Sequence, residues 1–174
     1  MFETERLILR KFEEREDVEA VYALRSDADV MRFIREPQNH DETINWLKLV
    51  SSQWTDHQIG FCAVIEKCSG ELAGWCGLWR LKETGEGEVG YALAKKFWGK
   101  GYAVEAAERF LRYGFNELNL ETIVAVAHPE NTASRRVMEK LGMRFDYTGE
   151  FYNRQLVHYS ITKKGFNNKE NNEA

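Results

Sequence analysis

The sequence predicts a mixed α/β fold of the α+β type, with a largely antiparallel sheet and flanking helices. Three observations lead to it. The elements read in the order strand, helices, three strands, helix, strand, helix, two strands. The three central strands are separated by short turns, Ser69-Gly70 and Gly85-Glu86-Gly87, which makes them antiparallel neighbours. Between strands lie two stretches with clear helical period, Gly101 to Leu118 and Asn131 to Leu141.

Arg6 to Phe12 is rich in aliphatic residues and predicts the first strand. Glu14 to Leu24 places Val18, Val21, Tyr22 and Leu24 near helical spacing, and Asp29 to Ile34 predicts a short further turn of helix. Another helix begins at Asp41-Glu42-Thr43, with Ile44, Trp46, Leu47 and Val50 on a broad apolar face. Phe61 to Glu66, Glu71 to Leu81 and Glu88 to Ala94 form the meander. In the helix from Gly101 to Leu118, Ala103, Ala107, Phe110, Leu111, Gly114 and Phe115 recur at three and four residues. Thr122 to Ala127 is a buried strand bounded by His128-Pro129. Asn131 caps the next helix and Gly142 stops it. Arg144 to Thr148 and Gln155 to Lys163 close the chain as two strands.

These elements predict one domain over residues 1–166 and a polar, disordered tail over 167–174. The chain has 174 residues and a net charge of −4, which argues against a dedicated nucleic-acid binder. With 43% hydrophobic and 13% aromatic residues, whole-chain disorder is excluded. No apolar run approaches the ~20 residues of a membrane span, and the charged start Met1-Phe-Glu-Thr-Glu-Arg6 is not a secretory signal. Cys62, Cys68 and Cys76 lack zinc spacing, and the histidines are scattered, so no metal is expected. The odd cysteine count suits a reduced, cytoplasmic compartment.

Three motifs could carry chemistry. Trp98-Gly99-Lys100-Gly101-Tyr102-Ala103 sits where a strand ends and a helix begins. A helix start presents unpaired N–H groups, and glycines let a ligand approach the backbone, so the motif suits a phosphate or pyrophosphate. Lys95, Lys96 and Lys100 add positive charge nearby. The motif also reads as a plain tight connection. It is neither a Walker loop nor the dinucleotide fingerprint, since Val104 stands three residues after Gly101. Asn131 and Ser134 open the next helix, either as a cap with surface decoration or as part of a site. Glu88-Val89-Gly90-Tyr91-Ala92-Leu93 puts Glu88, Gly90 and Ala92 on one strand face, with mid-strand Gly90 implying a bulge or a close approach.

In this order and spacing, the three pieces resemble the GNAT acetyltransferases, most closely the RimJ/RimL-like branch. Glu3-Thr-Glu-Arg-Leu-Ile-Leu-Arg10 is similar to that branch's first strand, and Glu139-Lys-Leu-Gly-Met143 follows the Asn131-Ser134 piece as it does there. The resemblance spans about residues 3 to 164. It implies a sheet splayed between the fourth and fifth predicted strands, with acetyl-CoA in the opening and no metal. It also implies a pyrophosphate loop at Trp98, Gly99, Lys100, Gly101, Tyr102 and Ala103. Leu93 then pairs through its backbone with the pantetheine arm, and Asn131 hydrogen-bonds the same region. Many members carry a tyrosine seven residues after that asparagine as acid to the thiolate. Here Met138 stands there, and Ser134 resembles the proton donor of the RimL-like proteins.

The activity so implied is transfer of an acetyl group from acetyl-CoA to a primary amine, by direct attack in a ternary complex. The acceptor is a protein N-terminal α-amine or a small amine, and the enzyme a monomer or homodimer with neither nucleic acid nor membrane as partner. A carboxylate must take the amine's proton. Glu88 is the first choice and Glu150 the second. The three cysteines read as core or turn thiols. Met31 to Trp46 and Glu150 to His158 are expected to wall the acceptor, offering Phe33, Trp46, Phe151, Tyr152 and Arg154. The rival reading is a non-catalytic acyl-CoA-binding module on the same fold.

Overall fold

A computed structural model describes residues 1–173, with side chains through residue 169. The described residues form an eight-stranded sheet in the order β1-β2-β3-β4-β5-β6-β8-β7. Strands β1 (Phe2–Glu3) and β2 (Leu7–Arg10) lead into helices α1 (Glu14–Arg25), α2 (Ala28–Met31) and α3 (His40–His57). The meander follows as β3 (Gly60–Glu66), β4 (Leu72–Arg80) and β5 (Gly87–Leu93). A 3₁₀ turn at Lys95–Phe97 leads to α4 (Tyr102–Asn116), then β6 (Thr122–Ala127) and α5 (Thr132–Lys140). Strands β7 (Arg144–Phe151) and β8 (Arg154–Thr162) and helix α6 (Lys163–Glu173) complete the chain. Every strand pairing is antiparallel except β5 with β6.

The predicted mixed fold with its antiparallel meander is therefore present. Two elements differ. Two-residue β1 was too short to read, and it exists because Phe2 and Glu3 pair with Leu9 and Ile8. The polar stretch from Asn167, expected as a tail, continues α6 as far as Glu173, and Ala174 lies outside the described residues. The helix is anchored by Phe166, which is 1% exposed and meets Phe115 at 5.4 Å between ring centres.

The two faces of the sheet are filled separately. On one, α4 buries Ala106, Ala107, Phe110, Leu111 and Phe115 completely. Each large side chain there contributes roughly 1.5–3 kcal/mol. On the other, α1 and α3 bring Val21, Leu24, Leu47 and Val50 against Ala63, Ile65 and Trp75. Strand alternation decides which face each residue meets. Cys62 and Cys76 are register partners buried on the α4 side. Burial pushes the Cys62 thiol up to about 12 and that of Cys76 well above its usual range, so neither is a nucleophile. No helix among the described residues is long and apolar enough to cross a membrane.

Candidate functional site

The site begins with a defect in the sheet. Strands β5 and β6 pair only at Gly87–Ile123 and Glu88–Val124. Beyond these pairs they diverge, as the splay between the fourth and fifth predicted strands requires. The cleft between and around them has a volume of about 1160 Å³. Leu93, Trp98, Gly99, Gly101, Tyr102, Ala103, Asn131, Ser134 and Glu88 all line it. Sequence positions 43 residues apart, Tyr91 and Ser134, meet across it.

Its lower end is the loop before α4. Gly99 (φ 76°) and Gly101 (φ 82°) both adopt left-handed backbone, which glycine takes at no steric cost. A β-carbon added at Gly99 would meet nothing within 4 Å, so that space belongs to the cleft. The first helical hydrogen bond runs from the Glu105 N–H to the Gly101 carbonyl, leaving the preceding N–H groups without intrahelical acceptors. The Trp98 indole donates to the Leu93 carbonyl at 2.6 Å, locking the strand end to the loop.

The lysines do not behave as expected. Lys95 pairs with Asp27 and Asp29, Lys96 with Glu71, and Lys100 with Glu66. Lys100 is absent from the residues that line the cleft. Tyr102 is likewise tied down, donating its hydroxyl to Glu66 at 2.6 Å. That bond, with help from Ser69 and Lys100, holds the Glu66 carboxyl down to about 2.

The other end of the cleft is built on the strand face shared by Trp75, Trp79, Glu88, Gly90 and Ala92. Gly90 causes no bulge. It makes room for the Phe61 ring, which would lie 2.9 Å from an added β-carbon. Glu88 is 8% exposed. Burial pushes its carboxyl up to about 7, against a hydrogen bond from the Tyr152 hydroxyl and with the Glu83 charge adding to the rise. Tyr152 reaches it from the β7–β8 turn, where Tyr152 (φ 51°) and Asn153 (φ 57°) form a two-residue hairpin connection. Glu83 accepts from the Tyr152 N–H at 2.6 Å and fixes the turn.

Glu150 is corrected by this hairpin. β7 extends past Thr148 to Phe151, placing Glu150 opposite Gln155 on the edge strand. Its side chain is exposed and does not line the cleft. The expected acceptor walls are partly present: Phe33, Trp46, Tyr152, Arg154 and Leu156 line the cleft, whereas Phe151 is 3% exposed in a separate core cluster. His158 is also buried away from the cleft, bonded to Asp146 at 3.0 Å.

On the α5 side, the Asn131 side-chain oxygen accepts the Ser134 N–H at 3.1 Å. Asn131 is thus a true helix cap and a cleft residue at once. Ser134 Oγ lies 3.1 Å from the Tyr91 hydroxyl, which also contacts the Ser134 carbonyl at 3.1 Å. Burial raises the Tyr91 hydroxyl well above the usual tyrosine range, with the Ser134 bond opposing. Met138 is 1% exposed and fills apolar space beside them.

Sequence reasoning gave Tyr91 no role, and it expected Tyr152 on the acceptor wall but not its bond to Glu88, since each tyrosine meets its partner only through tertiary placement. It also missed a clamp on the glycine loop. Arg6 donates to the Lys100 carbonyl at 2.9 Å and to Glu105 at 2.7 Å, and Thr4 donates to Glu105 at 2.6 Å. Thr4 and Arg6 stand within the opening segment that carried the resemblance, which was the available signal.

Comparison with known proteins agrees with this architecture. The Bacillus subtilis protein YkkB is 32% identical over 166 residues, covering 94% of this chain and 95% of that one. The uncharacterized N-acetyltransferase YnaD of the same organism is 37% identical over 143 residues, covering 81% of each. The crystal structure of a GNAT-family acetyltransferase from Bacillus anthracis superposes with a TM-score of 0.79 at 34% identity, covering 93% of this chain and 98% of that one. The acetyltransferase (GNAT) domain model matches residues 6–144, and with that match the chain belongs to the GNAT acetyltransferase family.

Proposed function

We propose that this protein transfers an acetyl group from acetyl-CoA to a primary amine within a ternary complex, and that it belongs to the RimJ/RimL-like branch. The observation that carries the reading is the notch between β5 and β6. It has an anion cradle at the Gly99–Ala103 end and a buried carboxylate, Glu88, toward the other. The cradle suits a diphosphate, because Gly99 leaves open space against free backbone N–H groups. Asn131 offers its amide nitrogen to the arm of the ligand, its oxygen being taken as a cap. One lone pair of the Leu93 carbonyl is taken by the Trp98 indole, which leaves its other lone pair and the Leu93 N–H for pairing with the pantetheine arm.

Acetyl-CoA supplies the acetyl group as a thioester, whose C–S bond breaks as the N–C bond to the amine forms. Glu88 takes the proton that the amine must lose. A base with its carboxyl near 7 is matched to neutral pH. Ser134, backed by Tyr91, gives a proton to the leaving sulfur. This hydroxyl pair does the work that Met138 cannot, which favours an enzyme over the acyl-CoA-binding module. The unpaired thiols of Cys62, Cys68 and Cys76 support a cytoplasmic location.

The test is thermal. Acetyl-CoA at a hundredfold excess over Kd is expected to raise Tm by about 5–10 °C. Gly99→Val adds strain and fills the cradle, and is expected to abolish the shift while the protein still melts cooperatively. Normal stabilisation of that variant overturns the cradle assignment. The clamp has its own signature. Arg6→Ala frees the Lys100 carbonyl and Glu105, so acetyl-CoA affinity should fall about tenfold by calorimetry, with kcat at saturation little changed.

A further inference from the structure

Glu88, the proposed base, is covered. It is 8% exposed, and its carboxylate accepts the Tyr152 hydroxyl. The Val126 N–H of β6 also favours its charged form. Its register partners are Trp79 on β4 and Val124 on β6, neither of which titrates.

Tyr152 is the opposite case. It is 41% exposed and lines the cleft, and no other described residue donates a hydrogen bond to its hydroxyl oxygen. A hydroxyl that donates one bond keeps lone pairs with which to accept another. The tyrosine therefore offers an acceptor whose own proton is already given toward Glu88.

The chain holds the tyrosine there at a conformational cost. Tyr152 (φ 51°) has left-handed backbone, uncommon for a bulky side chain, at the first position of a two-residue connection. Strained positions persist where their surroundings fix them. Here Glu83 accepts the Tyr152 N–H at 2.6 Å, and Arg154 donates to the Phe33 and Ile34 carbonyls at 3.2 and 3.1 Å. The hairpin is thus pinned to the β4–β5 turn and to the α2–α3 connection.

The groups around the hydroxyl keep it protonated. Burial first, then the Glu88 charge and bond and the Glu83 charge, raise it far above the usual tyrosine range, and Arg35 opposes. A hydroxyl that does not ionise gives up its proton only as it takes another.

We infer that Tyr152 is a catalytic residue of the proposed acetyl transfer, its hydroxyl oxygen receiving a proton of the acceptor amine while its own proton passes to Glu88. The inference rests on the acetyltransferase reading above and adds the group that touches the amine. The acceptor arrives as an ammonium. One N–H proton moves to the Tyr152 oxygen as the Tyr152 O–H proton moves to Glu88, and the freed lone pair forms the N–C bond to the acetyl carbon. The C–S electrons leave with sulfur, which takes a proton from the Ser134 hydroxyl. A second proton leaves the nitrogen to water, water restores Ser134, and Glu88 releases its proton to water. The amide, CoA and one proton result, and Tyr152 ends as it began.

The experiment uses the fastest acetylated member of a panel of spermidine, free amino acids and short peptides, with acetyl-CoA as donor. Tyr152→Phe keeps the ring and the N–H that Glu83 holds, and loses the hydroxyl alone. It should lower kcat about a hundredfold, the low end for a positioned proton carrier, with the acetyl-CoA-induced rise in Tm retained. The acidic limb of kcat/KM should move above 7, since the Tyr152 bond lowers the Glu88 carboxyl, and the loss should persist on the plateau beyond that limb. The double variant with Glu88→Gln should fall little below the weaker single variant, because both residues carry the same proton. Wild-type kcat/KM in mixtures of H2O and D2O should follow a bowed curve, as two protons in flight require, and a straight line in Tyr152→Phe. The wild-type curve carries the test if the variant fails to fold. A straight line for wild type marks a tyrosine that only positions Glu88 and overturns the inference. So does a Tyr152→Phe plateau equal to wild type, the result of an amine that reaches Glu88 directly. In both cases Glu88→Gln still loses its rate and the acetyltransferase reading stands. No acetylation of any panel member overturns both.

Discussion

Glu88→Gln is expected to lower kcat by about 10²–10⁴-fold, the usual worth of a positioned general base, with acetyl-CoA affinity nearly unchanged. The side chain is buried beside the Tyr152 hydroxyl, so the amide is isosteric and the cleft keeps its shape. The wild-type kcat/KM should rise with pH up to about 7 and then level, because only the deprotonated carboxylate accepts a proton. The variant should lose that limb. If it keeps both the rate and the limb, another group or water is the base. Stability should move the opposite way. The folded protein holds the Glu88 proton up to about 7, whereas the unfolded chain releases it near 4.5. The contribution of Glu88 is therefore full below 4.5 and declines as pH rises through this window. A glutamine is exempt, so above pH 7 the variant should be more stable than wild type, by at most about 3 kcal/mol at 1.36 kcal/mol per unit. Denaturant melts at pH 5 and pH 8 check the sign.

Ser134→Ala is expected to reduce kcat about a hundredfold, with binding of acetyl-CoA retained. Ser134 and Tyr91 are 3.1 Å apart, and a proton given by serine can be replaced from the tyrosine. Tyr91→Phe should then share the loss. If the hydroxyls act as a unit, the double variant should fall little below the weaker single one, since effects within a unit do not add. Loss of turnover without loss of binding marks a group that acts in the transition state. Near-full turnover of Ser134→Ala would reduce the residue to a helix-start position and leave protonation to water.

Much of this was legible in the chain. The period of three and four in α4 and the short turns of the meander gave the layers, because hydrophobic spacing and turn chemistry are local. Motif order singled out Glu88, Gly101 and Ser134, and all three line the cleft. What escaped was set by distance along the chain. Arg6 meets Glu105 across 99 positions, and Tyr152 meets Glu88 across 64. No local pattern announces such a pair. The same limit misled the reading of Lys95, Lys96 and Lys100, whose carboxylate partners come from α1–α2 and the β3–β4 region. Glu150 was a candidate because it stands near the last hairpin, but β7 runs through it and leaves it exposed opposite Gln155. α6 was invisible for a related reason: its polar composition suits a tail, and the contacts that hold it, Phe166 against Phe115 and Lys169 with Glu108, are made to distant α4.

The bond from the Trp98 indole to the Leu93 carbonyl joins the end of β5 to the glycine loop as one stiff piece. From Leu93 back to Glu88 the strand is regular, five steps at about 3.3 Å, or roughly 17 Å. The molecule thus carries a ruler made of backbone. On this reading, where the thioester stops is written in main-chain spacing, which side-chain substitution leaves alone. Residues of the α2–α3 connection and the last hairpin, Phe33, Tyr152 and Arg154 among them, line the cleft from other parts of the chain. A substitution on those segments can therefore reshape one part of the cleft while the spacing along β5 stays as it is.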